Sequence, residues 1–447
     1  MNKLLIKNAT LVNEGRIYAS DVLIEGERIA RIAPHIEAPD AQVIDAAGRH
    51  LIPGMIDDQV HFREPGLTHK GTIASESRAA VAGGTTSFME MPNVNPQTTT
   101  LAALEAKYQI AARSSAANYS FYLGATNDNL EEIKRLDPKQ SCGVKVFMGS
   151  STGNMLVDNQ ETLAAIFRES PVLIVTHCED TPSIKVLEDQ ARAQWGEDVP
   201  MREHGRIRSD EACYKSSSMA VALAKQHGAK LHVLHLTSAK ELSLFTASHD
   251  VSELKDKNIT AEVCVHHLFF NERDYDTLGS QIKCNPAVKS EADQQALLEA
   301  VRSDVLDIIA TDHAPHTWQE KQNSYFGAPS GVPLVQHSLQ ALLELYHQGI
   351  FTLETIVKKT SHAVAERFQV EDRGYLREGY YADVVLLDLN KPYVVSNDNL
   401  LYLCGWSPFN GYRFQSTVEM TLVNGQIAWQ NGQLSDQIRG KRLTFNR

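Results

Sequence analysis

Between about residues 53 and 370 one unit recurs along the chain: a short apolar run, a polar cluster at its end, then a helical stretch. The apolar runs fall at residues 55–56, 85–91, 119–123, 144–148, 172–176, 231–236, 259–265 and 305–311. Helical stretches at 73–81, 101–114, 159–168, 210–227 and 292–302 separate several of them. Strands alternating with helices build a parallel sheet, and eight such units close a barrel. The two ends of the chain read differently. Residues 1–52 and 371–447 carry short runs rich in β-branched residues, punctuated by Gly15, Gly26 and Pro34 and, near the C-terminus, by the hairpin signal Asn424-Gly425. The expected architecture is α/β: a (β/α)8 barrel of the TIM type over 53–370, beside a small discontinuous β-sandwich built from 1–52 and 371–447.

Composition narrows the function. The formal net charge is −12, which argues against a nucleic-acid partner, because phosphate contacts need clustered Lys and Arg. The basic cluster Arg439-Gly-Lys-Arg442 reads as a solvated tail. No segment approaches the ~18 consecutive apolar residues of a membrane span. The stretch Met1-Asn-Lys-Leu-Leu-Ile-Lys-Asn8 is too short in apolar residues for a secretory signal. None of the six cysteines forms a C-x-x-C pair, so free thiols in a reducing, cytoplasmic setting are expected.

The unusual polar residues collect at the C-terminal ends of the predicted strands: Gln59-Val-His61-Phe-Arg63, Met91-Pro-Asn93, Thr176-His177-Cys-Glu179, His235-Leu-Thr237, His266-His267 and Thr311-Asp312-His313-Ala-Pro-His316. Active sites of such barrels sit at that face. Four strand ends presenting His or Asp point to a metal site. Period two places Asp57, Gln59, His61 and Arg63 on one face of the first strand and Asp58, Val60 and Phe62 on the other, which keeps Asp58 out of the mouth. Lys145, inside Val144-Lys-Val-Phe147, is expected to be buried. Desolvation leaves its amine neutral and nucleophilic, able to take up carbon dioxide as an anionic carbamate.

These segments together resemble the amidohydrolase superfamily, and within it the dihydroorotases. The resemblance rests on Pro53-Gly-Met-Ile-Asp57, Val60-His-Phe-Arg-Glu-Pro-Gly66, Gly83-Gly-Thr-Thr86, Met91-Pro-Asn93, Gly143-Val-Lys-Val-Phe147, Thr176-His-Cys-Glu179, His235-Leu-Thr-Ser238, Asn285-Pro286, Thr311-Asp-His-Ala-Pro-His316 and Gly379-Tyr-Tyr-Ala-Asp-Val-Val385. It implies zinc as cofactor. His61 and position 59 would hold one ion, His177 and His235 the other, and carboxylated Lys145 would bridge them. Asp312 would be both ligand and general base. The implied substrate pair is dihydroorotate and N-carbamoyl-aspartate, in pyrimidine biosynthesis. Arg63, Asn93 and His316 would hold the carboxylate, and Asn285 and Ser330 would make further substrate contacts. Hydantoinases and dihydropyrimidinases do not keep this arginine, and allantoinases typically show Asn there. A homodimer is the family's common assembly.

One departure stands out. The family's first strand reads His-x-His, and this chain has Gln59-Val-His61. Glutamine is a weaker zinc ligand, so one tightly bound zinc and a second, weaker ion are expected. The alternatives are a catalytically inactive, dihydroorotase-like scaffold subunit, and a hydrolase of another cyclic amide such as allantoin or a hydantoin. The glycine-containing segments 149–154 and 325–331 are candidate closing loops.

Overall fold

The computed structural model describes residues 3–149 and 155–447. The first part of the expected loop 149–154 therefore lies at Gly149 and the rest outside the described residues. The chain opens with five strands, β1 (Lys3–Asn13), β2 (Arg16–Glu25), β3 (Arg28–Ala33), β4 (Gln42–Asp45) and β5 (His50–Pro53). The barrel follows: β6 (Met55–Val60), β7 (Thr85–Glu90), β8 (Asn118–Phe121), β9 (Leu123–Gly124), β10 (Val144–Phe147), β11 (Ile174–His177), β12 (Leu231–Val233), β13 (Ile259–Cys264) and β14 (Ile308–Ala310). All of the barrel pairings are parallel. β8 and β9 form one staves-length strand interrupted at Tyr122, so the barrel has eight staves. His61 N donates to His313 O at 2.7 Å and closes the ring between the first stave and the last.

These strands are buried on both faces, as helices outside and side chains inside require; every residue of β6, β7, β8, β10 and β11 is buried. The helices form where expected, within a residue or so: α1 (Ile73–Ala82), α2 (Leu101–Ser114), α3 (Gln160–Glu169), α5 (Asp210–His227) and α6 (Glu291–Arg302), with α4 (Thr181–Trp195) in addition. Each starts at a side chain that accepts a hydrogen bond from the first turn: Thr72, Thr100, Asn159, Ser209, Ser290 and, for α4, Asp180. α7 (Ala363–Phe368) lies against the base of the barrel, where Phe368 packs with Ile56, Tyr122, Val175 and Leu234.

The termini join as predicted, through β15 (Val384–Asp388), β16 (Tyr393–Val394), β17 (Arg413–Phe414), β18 (Thr417–Val423), β19 (Gln426–Gln430) and β20 (Gln433–Leu434). β5 pairs with both β1 and β15, and a nine-stranded sheet runs β20-β19-β18-β15-β5-β1-β2-β3 with β4 beside β1. Strand alternation divides its two faces. Leu51, Val384 and Leu386 enter the sheet's own core with Leu11, Ile24 and Met420, whereas Ile52, Val385 and Leu387 enter the barrel's outer core.

One expectation is corrected and one is refined. The segment 439–442 is not a solvated tail. Tyr119 N donates to Lys441 O and Leu443 N to Tyr119 O, both at 2.9 Å, and Arg442 stacks on Tyr108 while pairing with Glu105. Paired backbone and a ring face outweigh hydration of three charges. Period two holds from β6 onward for Gln59, His61 and Arg63, which line the cavity, and Asp58 stays out of that lining as expected. Asp58 departs from plain alternation only in also turning into the barrel interior, below the cavity. The register of β6 against β7 shifts between Asp57 and Val60. Asp58 Oδ2 lies 3.4 Å from His232 Nε2, and Gln59 Nε2 donates to Asp312 Oδ1 at 3.2 Å. His232 stands on a stave that does not pair with β6, so Asp58 as well as its neighbour Gln59 reaches the interior. An irregularity of one residue re-aims the side chains after it.

Candidate metal and substrate site

The strand ends surround a cavity of about 220 Å³. Gln59, His61, Arg63, Asn93, Lys145, His177, His235, Asn285, Asp312, His316 and Ser330 all line it. Sequence reasoning therefore named residues that the fold brings to one place, from six separate strand ends and two loops. Phe147, Ala314, Pro329 and Gly331 complete the lining.

Two pairs of atoms converge as metal ligands do. His177 Nδ1 and His235 Nε2 are 3.0 Å apart, with their rings edge to face. His61 Nε2 and Asp312 Oδ1 are 3.1 Å apart. Tetrahedral zinc with ligands at ~2.0–2.1 Å has edges of ~3.3 Å, so both pairs need only small adjustments to share an ion. Tautomers agree with this. Glu179 Oε2 accepts from His177 Nε2 at 2.8 Å, which leaves Nδ1 with its lone pair facing the cavity. A carboxylate holding a histidine from behind is the usual support of a metal ligand. Burial works to raise the Glu179 carboxyl, but Arg208 and His177 outweigh it and hold it down at about 2, so it stays ionised. In the sequence, Glu179 is signalled as a functional residue only by its place two residues after His177.

Burial lowers the pKa of His61 to about 4 and that of His177 also, so both imidazoles are neutral. Lys145 is 1% exposed, and burial brings its amine down to about 8. Burial works to raise Asp312, but its neighbours, His61 first among them, hold it below the usual carboxylate value. Neutral imidazoles, a readily deprotonated amine and an ionised carboxylate are the donor set that zinc takes.

Gln59 stands differently from its neighbours. Its amide nitrogen donates to Asp312 Oδ1, and its Oε1 accepts from the Cys264 thiol at 3.6 Å. An ionised carboxylate can only accept, so the amide must present nitrogen to Asp312. The oxygen, the one atom of Gln59 able to ligate a metal, is turned to Cys264.

The other half of the cavity is cationic. Arg63 is 6% exposed and its Nε donates to Pro315 O at 3.0 Å. His316 Nε2 faces both Ser330 O at 3.0 Å and Arg63 Nη2 at 3.1 Å, while Lys70 Nζ approaches Nδ1 at 3.0 Å. Lys70 can only donate, so Nδ1 accepts and Nε2 carries the proton toward Ser330 O. Arg63 Nη2 then meets a donor and keeps its own N–H groups for a ligand. Among the described residues no carboxylate lies within ion-pair distance of Arg63. Asn285 Oδ1 is buried without a hydrogen-bond partner, and Asn93 Oδ1 sits 2.9 Å from His61 Nδ1.

Segment 325–331 is tied down by two lysines. Lys283 Nζ donates to the carbonyls of Tyr325 and Ala328, and Lys321 Nζ to those of Pro329 and Gly331. Gly331 lies at φ +150°, and a Cβ there would fall 2.4 Å from Ala314 O and 2.8 Å from His316. Three cavity residues also hold positive φ: Arg63 at 70°, Asp312 at 48° and His235 at 38°. Such conformations cost about 1–3 kcal/mol each and persist where surrounding structure imposes them.

A family model described as "Amidohydrolase family" matches residues 50–428. The chain belongs to the amidohydrolase family. Among its relatives, the dihydroorotase of Halobacterium salinarum is 32% identical, covering 96% of this chain and 97% of that protein. The allantoinase of Desulfitobacterium hafniense is 27% identical over 98% of both. The L-hydantoinase (dihydropyrimidinase) of Arthrobacter aurescens superposes with a TM-score of 0.93 at 26% identity, over 99% of this chain and all of that one. The barrel and the terminal sheet are therefore the amidohydrolase fold. No described helix is long and apolar enough to cross a membrane.

Proposed function

We propose that this amidohydrolase is a dihydroorotase, reversibly hydrolysing the ring amide of dihydroorotate to N-carbamoyl-aspartate. The observation that carries the reading is Arg63: a buried guanidinium, turned into the cavity, without a carboxylate partner among the described residues. A buried charge needs a counter-charge, and the substrate carboxylate supplies one that the Arg fork grips bidentately.

His177, His235 and carboxylated Lys145 would hold one zinc ion, and His61 and Asp312, with the same carbamate, a weaker second. Bound zinc would polarise the ring carbonyl and make water nucleophilic near neutral pH. Asp312, ionised and held by the Gln59 amide, takes the proton of the attacking water and delivers it to the ring nitrogen as the C–N bond breaks. Arg63 anchors the carboxylate end, and Asn285 Oδ1 offers an acceptor to a ring N–H. The neutral Lys145 amine is the form that adds carbon dioxide.

The relatives' names keep a second reading in view, hydrolysis of a carboxylate-free ring such as allantoin or a hydantoin. Zinc-loaded protein assayed against dihydroorotate, allantoin, hydantoin and dihydrouracil separates the two. Dihydroorotate should be turned over with a far higher kcat/KM. Equal or faster cleavage of a carboxylate-free ring overturns the assignment, and no cleavage of any of them by metal-loaded protein supports an inactive scaffold instead.

A further inference from the structure

Below the cavity, three side chains meet inside the barrel that the proposed reaction does not use. Asp58 comes from the first stave, His232 from β12 and Glu262 from β13. All three are fully buried, and their ligand atoms lie within 4.8 Å of one another. β6 is not a neighbour of β12 or β13 in the sheet, so the contact crosses the barrel interior. His232 Nε2 is 3.4 Å from Asp58 Oδ2 and 3.1 Å from Glu262 Oε2. A tetrahedral ion with ligands at ~2.0–2.2 Å sets its ligand atoms ~3.3–3.6 Å apart.

The cluster is short of donors. Neither oxygen of Asp58 has a hydrogen-bond partner among the described residues. Thr260 Oγ1 lies 2.8 Å from His232 Nδ1, and its own hydroxyl points to Leu231 O at 3.4 Å. Nδ1 therefore donates to Thr260, and Nε2 turns its lone pair toward two carboxylates. Glu262 Oε1 is already used, accepting from His235 N at 3.2 Å. One lone pair and two acid groups, sealed from water, require a cation or a shared proton.

We propose that Asp58, His232 and Glu262 form a second divalent-cation site of the zinc class at the floor of the barrel, separate from the cluster at its mouth. One imidazole nitrogen and two carboxylate oxygens give three protein ligands, and Thr260 fixes the histidine from behind as such ligands usually are fixed. The site depends on the β6 irregularity that turns Asp58 inward. It does not rest on the dihydroorotase reading.

The test is a crystal structure of the zinc-loaded full chain, with anomalous difference maps above and below the zinc edge, for wild type and Asp58→Asn. A peak between Asp58, His232 and Glu262 in wild type, absent in Asp58→Asn while the mouth peaks remain, supports the site. Elemental analysis should then show the variant binding one equivalent fewer. Wild-type protein saturated with zinc but lacking a floor peak overturns the proposal and leaves a shared proton in its place, as does a floor peak undiminished by Asp58→Asn. The wild-type map decides the matter even if the variant fails to fold.

Discussion

Arg63→Met tests the substrate assignment most directly. Methionine keeps the length and apolar stem of the side chain and removes the guanidinium. The mouth histidines do not touch Arg63 apart from His316, so bound metal should be retained. In the free enzyme the loss is small: Pro315 O loses one donor, a cost to stability of about 1 kcal/mol. In the substrate complex it is large. Removing one partner of a buried charge pair costs ~2–5 kcal/mol, or about 30-fold to several thousand-fold in affinity at ~1.4 kcal/mol per decade. Steady-state kinetics with dihydroorotate should show kcat/KM falling by at least that lower figure, with most of the change in KM. Hydrolysis of a carboxylate-free ring, if measurable, should change little, so the ratio of the two rates is the decisive reading. A loss of less than threefold for dihydroorotate, with metal content intact, would refute the pairing of Arg63 with the substrate.

Further outcomes follow from the same geometry. Lys145→Ala should lose metal and turnover, and short carboxylic acids added with zinc should restore part of the activity; an unimpaired variant removes the carbamate from the mechanism. Gln59→His should raise the zinc retained at the mouth after dialysis, read by elemental analysis, whereas two equally tight mouth ions in wild type would show that another residue does the work of the missing imidazole. Glu179→Gln should weaken zinc binding by about 10–100-fold through His177, measured by competition with a chelator. Its effect on stability should depend on pH. The Glu179 carboxyl is held down at about 2 from an ordinary 4.5, so its contribution, about 3 kcal/mol at 1.36 per pKa unit, is fully present above pH 4.5 and disappears as the pH falls toward 2. Denaturation curves of wild type and Glu179→Gln should separate near neutral pH and converge in acid; a gap that is constant with pH contradicts the ion-pair account.

The sequence was most informative where periodicity and burial coincide. Strands such as Val144–Phe147, apolar throughout apart from Lys145, and helices with Thr, Ser or Asn at their starts follow from local chemistry. The residues around the cavity were readable for a related reason: in a parallel barrel every strand end points to the same face, so polar residues there must meet. What local pattern does not encode is contact over distance. The tail at 439–442 carries three charges in four residues, and only the fold supplies the Tyr108 ring and the Glu105 carboxylate that receive Arg442. The carbonyls of 325–331 are received by Lys321, a few residues before the segment, and by Lys283, 42 residues before Tyr325, and local pattern does not show that either lysine turns inward to them.

The first stave joins these two lessons. Its sequence differs from His-x-His at one position, and plain alternation makes that position a lost ligand and nothing more. The hydrogen bond from Gln59 to Asp312 gives the change a structural content. Gln59 cannot offer its oxygen to a metal while Asp312 is ionised, because the carboxylate demands the amide N–H. It therefore acts on the base instead of on the ion: Asp312 Oδ1 accepts from Gln59 Nε2, while His61 Nε2, 3.1 Å away, keeps its lone pair because Nδ1 is the nitrogen that faces Asn93 Oδ1. That leaves Asp312 Oδ2 as the oxygen free to take a proton. A base fixed by the Gln59 amide loses little orientation when the ion beside it is weakly held, which is how a barrel without its first histidine can keep a productive Asp312.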